Sequence, residues 1–238
     1  MTTARLVVDG RLTVPLFHGT STLFCESIRE TGLGGCSLLD EMGLGIAIRE
    51  LLKHEDELQT IPNWDFEKRF MLRIAGVQEN PKRSIFRYCG TYVTPSRETA
   101  LRYATLYECG SEALTCTLKI IKPAVAQLPH LASQQPFSTI LAFAEQPKLP
   151  VLVEARDVQE EWLHSEGGEP PDAVLDFLQD ALQDPDIYDM WTQQSNFELV
   201  HPIPSSQLRF YQIAGSSGRD TKTEQLKLIP LPGAPDSH

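Results

Sequence analysis

The order of apolar and polar positions predicts that the chain opens with a hairpin, a strand and a helix. Two short apolar runs, residues 6–8 and 12–17, flank Asp9-Gly10, a dipeptide that tolerates positive φ and is typical of hairpin turns. A helix is predicted to begin at Ser21 or Thr22 and to end at Gly32. The turn between the strand and this helix carries a histidine, His18.

Helical and strand patterns then alternate through the middle of the chain. Helices are predicted over residues 38–58 and 65–74 and after Ser96, and strands over residues 90–94 and 113–121. The second of these strands rests on strict alternation, with Leu114, Cys116, Leu118 and Ile120 between polar residues.

The pattern changes between residues 122 and 195, where Pro-rich loops and acidic amphipathic segments predict an insertion that is largely helical, with one helix over 171–182. Strands are predicted again over 197–200 and 208–213, and the tail over 215–238 is predicted to be flexible. Residues 1–214 are therefore expected to form a single domain. Strands at both ends with helices between them indicate an α+β fold with antiparallel pairing.

Composition and charge limit the function. The net charge of −11 argues against nucleic-acid binding by broad phosphate neutralisation. The five cysteines show no CxxC pair and no zinc-like spacing with the histidines, so no metal site is expected. Charged residues interrupt the apolar runs at the start, and no run is long enough to span a bilayer, so the expected location is cytoplasmic, without a membrane partner.

Three distant motifs carry the candidate chemistry. His18-Gly19-Thr20 follows the opening strand, and Tyr92 in a predicted strand is followed eleven positions later by Tyr103 in a predicted helix. Glu198 sits in an apolar strand, where a carboxylate is unusual because a buried charge needs a partner. Each motif also has a purely structural interpretation: a histidine that bonds a neighbouring backbone, tyrosines that fill a helix stripe, and a glutamate on the outer face of an edge strand.

Taken in order, these motifs resemble the His-Tyr-Glu signature of the ADP-ribosyltransferase superfamily, which includes diphtheria-toxin-like toxins and the poly(ADP-ribose) polymerases. The resemblance implies a split antiparallel β core with flanking helices, and NAD as co-substrate without a metal. It assigns His18, Tyr92 and Glu198 to catalysis, and His18, Gly19, Thr20, Tyr92 and Tyr103 to NAD binding.

The resemblance further implies that the chain cleaves the nicotinamide–ribose bond and transfers ADP-ribose to a macromolecular acceptor, as an intracellular toxin or effector with an antitoxin or immunity partner. Residues 184–194 occupy the place of the family's acceptor-selecting loop. Asn196, two positions before the glutamate, departs from the Glu-x-Glu and Gln-x-Glu patterns, which makes arginine a less favoured acceptor. The acceptor, protein or nucleic acid, stays open.

Two alternatives also stay open. One is an RNA 2′-phosphotransferase-like enzyme, a related NAD-using fold that needs additional arginines for a phosphate and against which the Glu198 match counts. The other is a catalytically inactive module that binds ADP-ribose or a protein.

Overall fold

The computed structural model describes residues 5–74, 90–166, 170–215 and 226–232, and the chain divides into two compact units. The first unit combines three stretches, Met1–Cys36, Gly90–Gly110 and Leu149–His238. The second combines Ser37–Cys89 and Ser111–Lys148. The sequence predicts a single domain over residues 1–214, whereas the structure divides the chain into two units.

The first unit contains all the named strands among the described residues. Numbered in chain order over both units, its strands are β1 (Val7–Val8), β2 (Arg11–Leu12), β3 (Leu16–Ser21), β4 (Tyr92–Val93), β5 (Pro150–Ala155), β6 (Leu163–Ser165), β7 (Phe197–Leu199), β8 (Leu208–Ala214) and β9 (Lys227–Pro230). Its helices are α1 (Thr22–Thr31), α6 (Arg97–Leu106), α9 (Asp172–Ala181) and α10 (Pro185–Thr192).

These strands form a hairpin and two larger sheets. The hairpin pairs β1 with β2, and its turn has positive φ at both Asp9 and Gly10, as the dipeptide predicts. One sheet has the order β3-β5-β8-β9 and the other β4-β7-β6, and each pair of strands is antiparallel. The expected antiparallel pairing is therefore confirmed, and the mixture of helices and antiparallel sheets is compatible with the α+β class.

The two sheets meet at β3 and β4, which are their edge strands. Phe17 N–H donates to the Thr94 carbonyl at 2.7 Å, and Thr94 N–H donates back to the Phe17 carbonyl at 2.9 Å. This pair of bonds is a single narrow antiparallel bridge rather than a ladder. It brings the strand that carries His18 beside the strand that carries Tyr92.

The centre of the larger sheet is β5, whose residues from Val151 to Val153 and Ala155 are fully buried. Because both faces of this strand are covered, its sequence is a continuous apolar run rather than an alternating one. The sequence predicts an insertion over residues 122–195, and the structure corrects this for residues 150–155, because β5 pairs with both β3 and β8.

Helices make up the second unit among the described residues. They are α2 (Leu38–Glu41), α3 (Leu44–Lys53), α4 (Glu55–Leu58), α5 (Trp64–Ile74), α7 (Glu112–Gln127) and α8 (Phe137–Ala144). The single helix expected over residues 38–58 is divided into three, and Gly43 at the first break has a φ of 74°. Ordinary helical residues do not adopt that conformation.

The strand predicted over residues 113–121 is wrong, because this segment lies in α7. Its buried positions also fit a helical repeat, since Leu114, Thr117, Leu118 and Ile121 are three or four positions apart. Ser111 caps the helix by accepting a hydrogen bond from the Leu114 N–H at 3.3 Å.

Other predicted elements are confirmed, including α1, α5, α6, α9, β7 and β8. The flexible tail is corrected in part, because β9 pairs with β8 through residues such as Ile229 and Gln212. Residues 216–225 and 233–238 of that tail lie outside the described residues. In the described part of the chain, no helix has the length and apolar character needed to cross a membrane.

Candidate functional site

His18 is held by the strand that carries Tyr92. Its Nδ1 lies 2.7 Å from the Tyr92 carbonyl oxygen, and because a carbonyl only accepts, Nδ1 must carry the proton. Burial lowers the pKa of His18 below its usual range, against a smaller raising effect of this hydrogen bond. The neutral ring then presents a lone pair at Nε2, which can accept a hydrogen bond from a ligand hydroxyl.

Tyr92 and Glu198 are direct register partners on β4 and β7. Directly opposed residues of an antiparallel pair place their side chains on the same face, with Cβ atoms about 5 Å apart. Glu198 is only 8% exposed, so the interpretation of this residue as an outward-facing edge glutamate is wrong. The structure therefore brings together His18, Tyr92 and Glu198, which are far apart in sequence.

Gly90 makes room for the Glu198 carboxylate. A Cβ atom added at Gly90 would lie 2.8 Å from Glu198 Oε1, which is closer than real Cβ contacts. Any other residue at this position would displace the carboxylate. The sequence shows Gly90 two positions before Tyr92, but it does not reveal that Gly90 contacts Glu198, which is more than a hundred positions away.

His164 is a site residue that the sequence analysis did not identify. It is the register partner of Glu198 on β6, so it flanks the carboxylate on the side opposite Tyr92. The three side chains form a row across the smaller sheet, Tyr92–Glu198–His164, on one face. The other face carries Val93, Phe197 and Leu163, which are fully or almost fully buried. No sequence motif surrounds His164, so only strand pairing reveals it.

Asn196 and Glu166 directly adjoin the ends of β7 and β6, next to the row. Burial raises the pKa of the Glu166 carboxyl, and a hydrogen bond from the Asn196 side chain opposes this shift. Asn196, two residues before Glu198, is thus bonded to the Glu166 carboxyl group, which directly follows β6.

Gly19 and Thr20 have structural partners. A Cβ at Gly19 would lie 2.2 Å from the Ala100 carbonyl oxygen and 2.8 Å from Ala104 N, so glycine is required where α6 packs on β3. Thr20 is buried, and its hydroxyl donates to the Gly110 carbonyl at 3.3 Å. Both residues therefore have structural roles in holding β3 against its neighbours.

Tyr103 lies on α6, the helix that packs over Gly19. It is half-buried, and its ring packs against that of Tyr107 with centroids 4.6 Å apart and planes tilted by 54°. Ser96 caps this helix as predicted, because its hydroxyl accepts a hydrogen bond from Thr99 N–H at 3.2 Å. Tyr103 thus belongs to the wall beside β3, whereas Tyr92 belongs to the row.

The expected acceptor loop, residues 184–194, is mostly the helix α10. The Thr94 hydroxyl donates to the Ser195 carbonyl at 2.9 Å, and the Thr99 hydroxyl donates to the Gln193 carbonyl at 3.4 Å. These bonds tie the end of α10 to β4 and α6. Trp191 and Tyr188 pack against the buried core, so the protein covers part of each ring and closes that part to stacking on a base.

Cys25 belongs to the same unit as the row. Burial raises the pKa of the Cys25 thiol to about 11, despite the nearby charge of Arg29, so this thiol stays protonated near neutral pH. In the parts of the chain that the structure describes, no group of three His, Cys, Asp or Glu side chains is arranged to hold a metal ion.

Comparison with known proteins adds no assignment. No protein-family model matches the sequence, and neither a curated protein nor a solved structure matches it significantly.

Proposed function

We propose that the chain is an NAD-dependent ADP-ribosyltransferase that cleaves the nicotinamide–ribose bond at the row formed by Tyr92, Glu198 and His164. One observation carries this proposal. His18 is hydrogen-bonded to the backbone of Tyr92, and Tyr92 is paired with Glu198, so the three signature residues meet where two antiparallel sheets join. The split β core supports the same proposal.

Each residue has a role that its position suits. His18 Nε2 accepts a hydrogen bond from a ribose hydroxyl of the adenosine half, and the Tyr92 ring stacks on the cationic nicotinamide. Tyr103 on α6 is assigned to the nicotinamide by the family resemblance alone. Glu198 bonds the nicotinamide ribose and stabilises the positive charge that develops on it.

The reaction breaks the bond between the ribose C1′ and the nicotinamide nitrogen. The bonding electron pair stays with nicotinamide, which leaves neutral, and a ribosyl oxocarbenium ion remains. A nucleophilic atom of the acceptor then forms a bond to C1′ and loses its proton. His164, beside Glu198, accepts that proton, which allows a neutral acceptor group to react.

The two alternatives are supported less well. An RNA 2′-phosphotransferase needs cationic side chains for its phosphate, and the site face as described is built from tyrosine, histidine, glutamate and asparagine. An inactive binding module needs no buried carboxylate beside the proposed nicotinamide subsite. The burial of Glu198 therefore favours an enzyme over a binding module.

The test uses NAD labelled separately in its nicotinamide and its adenylate halves, incubated with the purified chain and a cell extract. The proposal predicts release of nicotinamide together with adenylate label on macromolecules. Tight NAD binding without nicotinamide release would contradict the proposal in favour of a binding module. Removal of a 2′-phosphate from RNA, without adenylate label on macromolecules, would favour the phosphotransferase.

A further inference from the structure

The helices α9 and α10 carry an apolar surface that the fold leaves exposed. Phe177, Ile187 and Met190 are 58%, 44% and 50% exposed. Phe177 stacks on Trp191, with ring centroids 5.5 Å apart and planes inclined by 18°. Residues three and four apart on a helix are neighbours, so Ile187 and Met190 lie beside each other and Ile187 lies beside Trp191. We call these four residues the α9–α10 patch.

Packing of the fold does not account for the patch. The inner side of α9 is already buried through Leu175, Leu178 and Ala181. Tyr188 and one side of Trp191 supply the inner contacts of α10. A helix that needs only one apolar face to join a core normally has a polar outer face. A second apolar face, clustered and exposed, is typical of an interaction site.

The surroundings of the patch are acidic. Asp180 lies three positions after Phe177, Asp184 three positions before Ile187, and Asp186 four positions before Met190; all three aspartates are exposed. The sequence contains no Lys or Arg between Arg156 and Arg209. This negative field repels the phosphates of a nucleic acid and attracts a cationic partner.

We propose that the α9–α10 patch docks a basic, amphipathic segment of a protein, and that this protein is the acceptor of the transferred ADP-ribose. The inference about the acceptor rests on the proposed function, whereas the docking itself does not. Apolar side chains of the segment would cover Phe177 and Met190, and its lysines or arginines would face the aspartates.

The patch is well placed to present an acceptor to Glu198. Trp191 and Glu198 are seven positions apart, so at most about 25 Å of extended chain separates them. The hydroxyls of Thr94 and Thr99 hold the connecting residues through the Ser195 and Gln193 carbonyls. A docked protein would therefore meet a surface fixed relative to the row.

The docking test measures binding of a fluorescent amphipathic peptide made of Lys and Leu at helical spacing. Matched probes are the same peptide with Glu in place of Lys, and a single-stranded DNA oligonucleotide. We expect the cationic peptide to bind, and Phe177→Ser or Asp180→Asn to weaken it by about tenfold. The control is Phe66→Ser on α5, an exposed phenylalanine also flanked by acidic residues, which should leave binding unchanged.

Several results would overturn the docking proposal: no binding of the cationic peptide, equal binding of the acidic peptide, tighter binding of DNA, or equal weakening by Phe66→Ser. A chain that is dimeric in solution and becomes monomeric with Phe177→Ser would show that a second copy covers the patch. Nicotinamide release from NAD is measured in parallel and should be unchanged by Phe177→Ser. Peptide binding without nicotinamide release would contradict only the enzymatic proposal, and release without peptide binding would contradict only the docking surface.

Discussion

The Glu198→Gln substitution removes the charge of the proposed catalytic carboxylate while keeping its size. Glu198 is 8% exposed, between Tyr92 and His164, so its carboxylate acts in a setting with little screening by water. A unit charge about 4 Å from a developing cation, at an effective dielectric constant of about 20, contributes about 4 kcal/mol. Loss of this stabilisation in the transition state corresponds to a decrease of about a thousandfold in turnover.

The assay is the initial rate of nicotinamide release at saturating NAD, with the midpoint of thermal unfolding measured for each variant. The matched control is Glu154→Gln, because Glu154 is a buried strand glutamate of similar exposure, at 9%, paired with Arg156 on the larger sheet. We expect Glu154→Gln to retain turnover within about threefold. A Glu198→Gln rate above about one-tenth of wild type, or an equal loss in both variants, would refute the reasoning.

Three further predictions concern neighbouring residues. Gly90→Ala should lower turnover by at least about tenfold with little change in unfolding midpoint, because its Cβ would displace the end of the Glu198 side chain; wild-type turnover would contradict this. His164→Gln should lower the rate of transfer to an acceptor by about a hundredfold and lower the rate of nicotinamide release much less, because only transfer needs a proton acceptor. Equal losses of both rates would assign His164 a structural role. His18→Asn should flatten the pH dependence of stability, measured by urea titration at several pH values. Because the pKa of His18 is lowered in the folded chain, the unfolded chain binds the proton first, and the wild-type free energy of unfolding falls as the pH drops below about 6.5, by up to about 1.4 kcal/mol per pH unit. Parallel pH profiles for the two proteins would contradict this.

Several local elements around the candidate residues could be predicted from the sequence, although His18, expected in a turn, lies within β3. The hairpin turn at Asp9-Gly10 and the Ser96 cap are short-range features, and both are found as predicted. His18, Tyr92 and Glu198 were predicted to converge by resemblance, and their hydrogen bond and register pair are features of the fold.

What the sequence did not reveal depends on long-range pairing. The central strand β5 is apolar on both faces, so it has no alternation to distinguish it from other apolar segments. The opposite error occurred in α7, whose alternating residues fit both a strand and a buried helix. His164 and Gly90 became site residues only through contacts with Glu198 across strands, and no local pattern marks either one.

The most direct test of the central claim is a crystal structure of the chain with carba-NAD, an analogue whose nicotinamide–ribose bond cannot be cleaved in this way. We predict a hydrogen bond between the Glu198 carboxylate and a hydroxyl of the nicotinamide ribose, with the nicotinamide ring against Tyr92 and His18 Nε2 at the other ribose. An analogue bound away from these three side chains, or an empty site at saturating concentration, would contradict it.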